Sequence, residues 1–241
     1  MRFKGKKAVV VGARDESIGQ AISRALAAEG AQVCIWDINV EEAGKTAKEI
    51  GAAVKKVDAL DYDSVKKAMD ETIKELGDLD FMVDTVGGGA EKPFKDYTYD
   101  FFMQQIQFTG VSMFNCAHNA LQHFLKKGEG KMVFFWSTTG GVPNLAGYSA
   151  GKAIVESLMK SIISETQATT KINVNCIYPG IVATKLTKGF FEASGGGDAI
   201  LQALAAANPR GLNTQAEVAT VACFLLSSDA DRLNGNVILL N

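Results

Sequence analysis

Histidine, cysteine and proline are all scarce in this chain. Two histidines, His118 and His123, and four cysteines, at 34, 116, 176 and 223, are spread over 241 residues. The cysteines form neither a CxxC pair nor a zinc-type spacing, so reduced structural thiols are expected and a metal site is not. The four prolines leave the helix interiors uninterrupted. Neither charge dominates: 25 Lys+Arg against 27 Asp+Glu leaves a net charge of −2, which lacks the basic footprint of a nucleic-acid binder. No stretch approaches the ~18 consecutive apolar residues of a membrane span. The first apolar run, within MRFKGKKAVVVG, is too short for the core of a secretory leader. These absences point to a cytoplasmic protein with a small-molecule partner and neither a membrane nor a nucleic acid.

What is present is ordinary for a globular protein: 47% hydrophobic and 22% charged residues. Short Val/Ile/Phe-rich runs at 8–11, 32–36, 53–57, 81–84, 131–136, 171–177 and 236–240 lack clean two-residue alternation, as strands buried on both faces do. Helical periodicity fills the intervals at 18–29, 41–50, 62–76, 99–127, 148–168 and 214–228. This alternation predicts an α/β fold with a doubly wound parallel sheet, Rossmann-type, in three αβα layers, as a single domain over 1–241. Residues 184–209 stand apart. A glycine triplet at 195–197 lies among Phe190, Phe191, Leu201 and Leu204, which reads as a flexible, apolar lid over a substrate.

The first strand runs into Gly12-Ala13-Arg14-Asp15-Glu16-Ser17-Ile18-Gly19, where a helix opens. Gly12 permits a tight turn and Gly19 close packing of helix on sheet, so the helix N-terminus can face a diphosphate. Asp37 ends the second strand, 18 residues after Gly19. A carboxylate there accepts hydrogen bonds from an adenosine ribose and repels a 2′-phosphate. NAD is therefore expected over NADP, although Arg14 could serve a phosphate. Asp58 and Ala59, after the third strand, are candidates to meet the adenine.

At the other end of the chain of strands, the fifth delivers Ser137, followed by Tyr148 and, four residues on, Lys152. Residues at i and i+4 share a helix face. An ammonium beside a phenol favours the phenolate and lowers its pKa, which suits the phenol for proton transfer to a carbonyl or from a hydroxyl. A Tyr-x3-Lys pair arises easily by chance; position after this strand and behind a serine gives it weight.

Together these segments resemble the short-chain dehydrogenase/reductase family. Tyr148-Ser149-Ala150-Gly151-Lys152 is similar to its Y-x-A-x-K, and Asn175 through Thr184 to its N-x-x-x-P-G-x-x-x-T. The resemblance implies that Tyr148 is the acid/base, that Lys152 tunes it and holds the nicotinamide ribose, and that Ser137 binds the substrate oxygen. It also assigns Gly87, Pro179, Gly180, Ile181 and Thr184 to the cofactor and Gln107 to a proton relay. The implied activity interconverts a secondary alcohol and a ketone on an apolar or ring-bearing molecule. Reduction of a 3-oxoacyl thioester and a catalytically silent nucleotide-binding regulator are the alternatives. A homodimer or homotetramer through helices 99–127 and 148–168 is implied as well.

Three departures from the family pattern stand out. The glycine loop is one residue longer, with Ser17 where a glycine belongs; the enoyl reductases of the same superfamily share that form, but space Tyr and Lys by seven. The family's N-N-A-G reads Asp84-Thr85-Val86-Gly87. Its relay asparagine reads Gln107.

Overall fold

The computed structural model describes residues 1–137, 140–193 and 195–240, with Ala193 described by its backbone alone. Seven strands, β1 (Lys7–Val11), β2 (Gln32–Asp37), β3 (Ala53–Lys56), β4 (Phe81–Asp84), β5 (Glu129–Phe135), β6 (Lys171–Tyr178) and β7 (Val237–Leu239), form one sheet. Their order is β3-β2-β1-β4-β5-β6-β7, and every pairing is parallel. The order reverses between β1 and β4, the place where doubly wound sheets open a crevice at the carboxyl ends of their strands.

Alternate residues of the inner strands feed two separate cores. Val9 and Val11 of β1 face one apolar layer with Trp36, Met82, Phe124 and Met159. Ala8 and Val10 face the other with Ile22, Leu26, Ile35 and Leu225. Both faces are therefore covered, which explains the unalternated strand sequences.

The helices begin where side chains can take the first free amides. Ser17 caps α1 (Ile18–Ala28), Asn39 caps α2 (Val40–Ile50) and Asp61 caps α3 (Tyr62–Leu76). Left-handed Gly51 and Gly77 end α2 and α3. The helix expected over 99–127 is three pieces: α4 (Tyr99–Ile106), a π turn (Gln107–Val111) and α5 (Ser112–Lys127). The next, α6 (Ala146–Thr166), starts two residues early.

Residues 184–209 correct the expectation of an irregular segment. They form a helical hairpin, α7 (Lys185–Ala193) and α8 (Gly197–Ala207). The triple glycine makes the turn between them, with Gly195 at φ 83° and Gly197 at φ 44°, a conformation that side chains with a Cβ resist. The last helix, α9 (Gln215–Leu226), opens with a capping box between Thr214 and Glu217. No helix among the described residues is long and apolar enough to cross a membrane.

Candidate active site

A cleft of about 910 Å³ opens along the carboxyl ends of the strands. It runs from Asp37 and Asp58 past Gly12 and Gly87 to Thr184, Leu186 and Phe190.

Its first half is built by the β1–α1 turn. Gly12 sits at φ 83°, and a Cβ there would lie 2.9 Å from Thr85 Oγ1. A Cβ on Gly19 would lie 2.6 Å from the Gly12 carbonyl oxygen. Both glycines are needed for backbone to approach backbone. Thr85 ties the turn to β4: its hydroxyl lies 2.7 Å from Val11 O and 3.1 Å from Gly12 O. Ser17 Oγ accepts from Gln20 N (3.0 Å) and lies 2.6 Å from Arg14 O, to which it donates. The extra residue of this loop is thus folded against the helix start, and Gly12, Arg14, Ser17 and Ile18 all line the cleft.

Asp37 closes this end. It is buried at the tip of β2, and its Oδ1 accepts from Asn39 N at 2.9 Å. Its Oδ2 is buried without a partner. An orphaned carboxylate oxygen is costly unless something polar meets it, and a ribose hydroxyl fits. Burial pushes the Asp37 carboxyl up, and the Arg14 guanidinium draws it partly back. Asp58 spends one oxygen on Leu60 N (2.9 Å), and Asn115 Nδ2 holds the Ala59 carbonyl (2.9 Å). Asp58 and Ala59 line the cleft too. The turn, the helix start and the orphaned oxygen together suit a dinucleotide.

Beside its second half lie Ser137, which follows β5, and Tyr148 and Lys152 of α6. Ser137 draws the Tyr148 phenol pKa down, and Lys152 Nζ lies 5.9 Å from the centroid of the Tyr148 ring. The expected lowering of the phenol pKa is not what this arrangement produces. Burial pushes Tyr148 up, Ser137 offsets part of that, and Tyr178 adds to the rise. The reason is geometric: Lys152 donates to the Phe135 carbonyl at 2.9 Å rather than to the phenol oxygen.

Tyr148 and Lys152 stand directly behind the segment that follows β4. A Cβ on Gly87 would lie 2.9 Å from Lys152 Nζ, and one on Gly89 would lie 2.8 Å from Tyr148 Cβ. Gly87 and Gly89 line the cleft, whereas Ser137, Tyr148 and Lys152 flank it behind this glycine wall.

Other expected site residues divide the same way. Thr184 lines the cleft and caps α7, accepting from Thr187 N at 3.1 Å. Pro179, Gly180 and Ile181 form the turn beneath it. Asn213 Nδ2 holds the Pro179 carbonyl at 3.0 Å, and Gly180 adopts φ 59° against the Leu240 carbonyl. Gln107 is exposed at the start of the π turn and lines no part of the cleft. Gln105, two residues earlier, is buried, and its Oε1 accepts from Ala90 N at 2.9 Å. It fastens the glycine wall to α4. Thr85, Gly89 and Gln105 were not singled out in the sequence; only the N-N-A-G resemblance pointed near the first two. Among the described residues, no group of three His, Cys, Asp or Glu side chains could hold a metal ion.

The fold is a doubly wound sheet with its cleft at the switch point, and Tyr148 and Lys152 are grouped beside that cleft. The family model described as "Enoyl-(Acyl carrier protein) reductase" matches residues 12–241. The cis-4-hydroxycyclohexanecarboxylate dehydrogenase of Sinomonas cyclohexanicum is 32% identical, over 99% of this chain and 96% of its own. The cyclohexanol dehydrogenase of Acinetobacter sp. (strain SE19) is 29% identical, over 98% and 93%. Among solved structures, NAD+-bound xylitol dehydrogenase superposes with a TM-score of 0.90 at 24% identity, over 100% of this chain and 99% of that one. The chain belongs to the short-chain dehydrogenase/reductase family and is an oxidoreductase.

Proposed function

We propose that this protein is an NAD-dependent dehydrogenase that interconverts a ring-bearing secondary alcohol and its ketone. The observation that carries the reading is the Tyr148 ring, 5.9 Å from the buried Lys152 Nζ, placed behind the wall of a cleft whose far end holds the unpartnered Asp37 oxygen.

When bound, the nicotinamide supplies or takes the hydride. Ser137 holds the substrate oxygen, and Tyr148 gives that oxygen a proton or takes one from it. Lys152 Nζ, 5.9 Å from the centre of the phenol ring, supplies a positive charge beside Tyr148. Val86, Phe108, Leu186 and Phe190 give the substrate end of the cleft an apolar lining, which favours a ring over a polyol. Asp37 favours NAD, because a 2′-phosphate would bring a second negative charge beside a buried carboxyl. The names of two relatives, both acting on hydroxylated cyclohexanes, agree with that substrate class.

The 3-oxoacyl thioester alternative asks for a basic entrance. Lys185 lines the cleft but leans on Glu42 at 3.5 Å, which weakens its pull on an acidic carrier. An isologous dimer is proposed through α5 and α6; Phe114 and Leu125 leave apolar surface exposed on α5.

The test is a panel of cyclohexanols and cyclohexanones offered with NAD(H) and NADP(H), followed by absorbance of the reduced nicotinamide. Turnover with NAD and a cyclohexanol, lost in Tyr148→Phe, is the expected result. Binding of NADH with no turnover of any alcohol or ketone, and no change in Tyr148→Phe, overturns the reading in favour of a silent nucleotide-binding protein.

A further inference from the structure

Two opposite charges lie buried in the fold, and one of them, Asp84, has no part in the reaction described so far. Asp84 ends β4 and is 3% exposed; Lys152 rises from α6 and is 5% exposed. Among the described residues neither joins a contact ion pair. Lys152 has one hydrogen-bond acceptor, the Phe135 carbonyl, and a neutral carbonyl cannot balance an ammonium taken out of water. The family pattern has an asparagine at the position of Asp84, so this chain has placed a charge where a neutral amide is usual.

The surroundings leave Asp84 as the counter-charge. Lys152 is faced by Asp84 from β4, by the Cys176 thiol from β6, by the Phe135 carbonyl from β5 and by the Tyr148 ring on its own helix. Burial pushes Cys176 up to about 12, with Lys152 drawing it down and Glu156 adding to the rise, so that thiol stays neutral. Asp84 is faced by Val86 N, which donates at 2.8 Å, by Ser112 and Cys116 of α5, and by Lys152. Burial holds Cys116 well above its ordinary range. Among the described residues, that leaves Asp84 as the anion acting on Lys152. The Val86 hydrogen bond also shapes the turn that brings Gly87 against Lys152 Nζ.

We propose that Asp84 is a positioning residue that keeps the Lys152 ammonium charged behind the glycine wall, so that the cation is available to Tyr148. The role in turnover rests on the dehydrogenase reading above; the electrostatic coupling does not. Burial lowers Lys152 to about 8, and the Asp84 carboxylate is what resists that fall. Burial in turn raises Asp84 to about 6, against the pull of Val86 N and Lys152.

The decisive measurement is a titration of the lysine Cε signals by 13C NMR in the full-length protein, with Lys152→Met identifying the Lys152 resonance. In the unaltered protein that signal should titrate near 8 and carry a second, smaller step near 6 as Asp84 takes up its proton. In Asp84→Asn, which keeps an oxygen for Val86 N, the main midpoint should fall by about one pH unit or more, a tenfold loss of proton affinity. An unmoved midpoint, or a wild-type signal with no second step, overturns the coupling; the second criterion holds even if the variant fails to fold. The activity arm follows kcat/KM against pH for ketone reduction. Coupling to catalysis moves the alkaline limb of Asp84→Asn to lower pH. A uniformly scaled curve with an unmoved limb overturns the positioning role. Absence of all turnover with the NMR shift intact would instead fault the dehydrogenase reading.

Discussion

The two ends of the sheet treat buried charge in opposite ways. At the amino ends of the strands, Asp78 and Asp80 share Lys127, whose Nζ donates at 2.7 and 2.8 Å. His123 adds a contact to Asp78 at 2.8 Å, and Lys6 one to Asp80 at 3.0 Å. Burial works against each of these charges and loses: hydrogen bonds hold Asp78 down at about 2, keep Asp80 below its usual range and raise Lys127. At the carboxyl ends burial wins. Asp84 and Asp37 are pushed up and Lys152 is pushed down. One end has enough partners to make ionisation favourable; the other withholds them. Perturbed groups at or beside a cleft are the mark of chemistry, and satisfied groups away from it are the mark of stability.

The sharpest way to test that contrast is to remove one group from each end. Tyr148→Phe should cut kcat/KM by about 10²–10⁴-fold, the usual worth of a general acid/base, while the urea midpoint stays unchanged. Lys127→Met should do the reverse. It removes the cation that Asp78 and Asp80 share at the foot of β4 and leaves them His123 and Lys6, costs about 1–3 kcal/mol in chemical unfolding, and leaves turnover per folded molecule unchanged. A Lys127→Met protein as stable as the parent would break the comparison. The double variant Asp84→Asn/Lys152→Met should be inactive yet unfold at equal or higher urea, with a gain of up to about 1–4 kcal/mol, because neutral replacements remove two buried charges at once. Asp37→Ala should shift preference toward NADP by about tenfold, or ~1.4 kcal/mol, read from the two dissociation constants.

Acid titration separates the ends again. Asp78 is depressed in the fold, so its contribution is whole above the unfolded carboxylate range of about 4 and is lost as pH falls through about 2. Asp84 is raised, so its contribution has the opposite sign: present below about 4 and gone once pH climbs past about 6. Lys127→Met should therefore flatten the acid limb of the stability curve, and Asp84→Asn should flatten the slope between those two values.

Much of this was readable before any coordinates. The strand expected at 81–84 is β4 to the residue, and the helix expected at 62–76 is α3. Burial on both faces leaves a dense apolar signature, and caps such as Asp61 and Gly77 mark the helix ends. Gly12 and Asp37 were legible because a tight turn and a strand-end carboxylate restrict residue type. The break in helix 99–127 was not. A π turn adds one residue to a helical loop without proline or a change in polarity, so no residue type marks it; Gln105 and Gln107, two positions apart, lie on opposite sides of the helix, the first buried and the second exposed. The hairpin at 184–209 was missed because glycines read as a break, although a left-handed glycine is also how two helices join at a tight turn. The counter-charge role of Asp84 was invisible for another reason. Its partner lies on a distant helix, and sequence spacing carries no information about that approach.

The four thiols have a practical consequence. Cys34, Cys116 and Cys176 lie in the layer beneath α3, α5 and α6, and Cys223 lies in the opposite layer on α9. All are buried and unpaired. Alkylating reagents can reach them only when the layer above lifts away, so the order in which they become labelled under denaturant would time-stamp the peeling of each side of the sheet without any engineered probe.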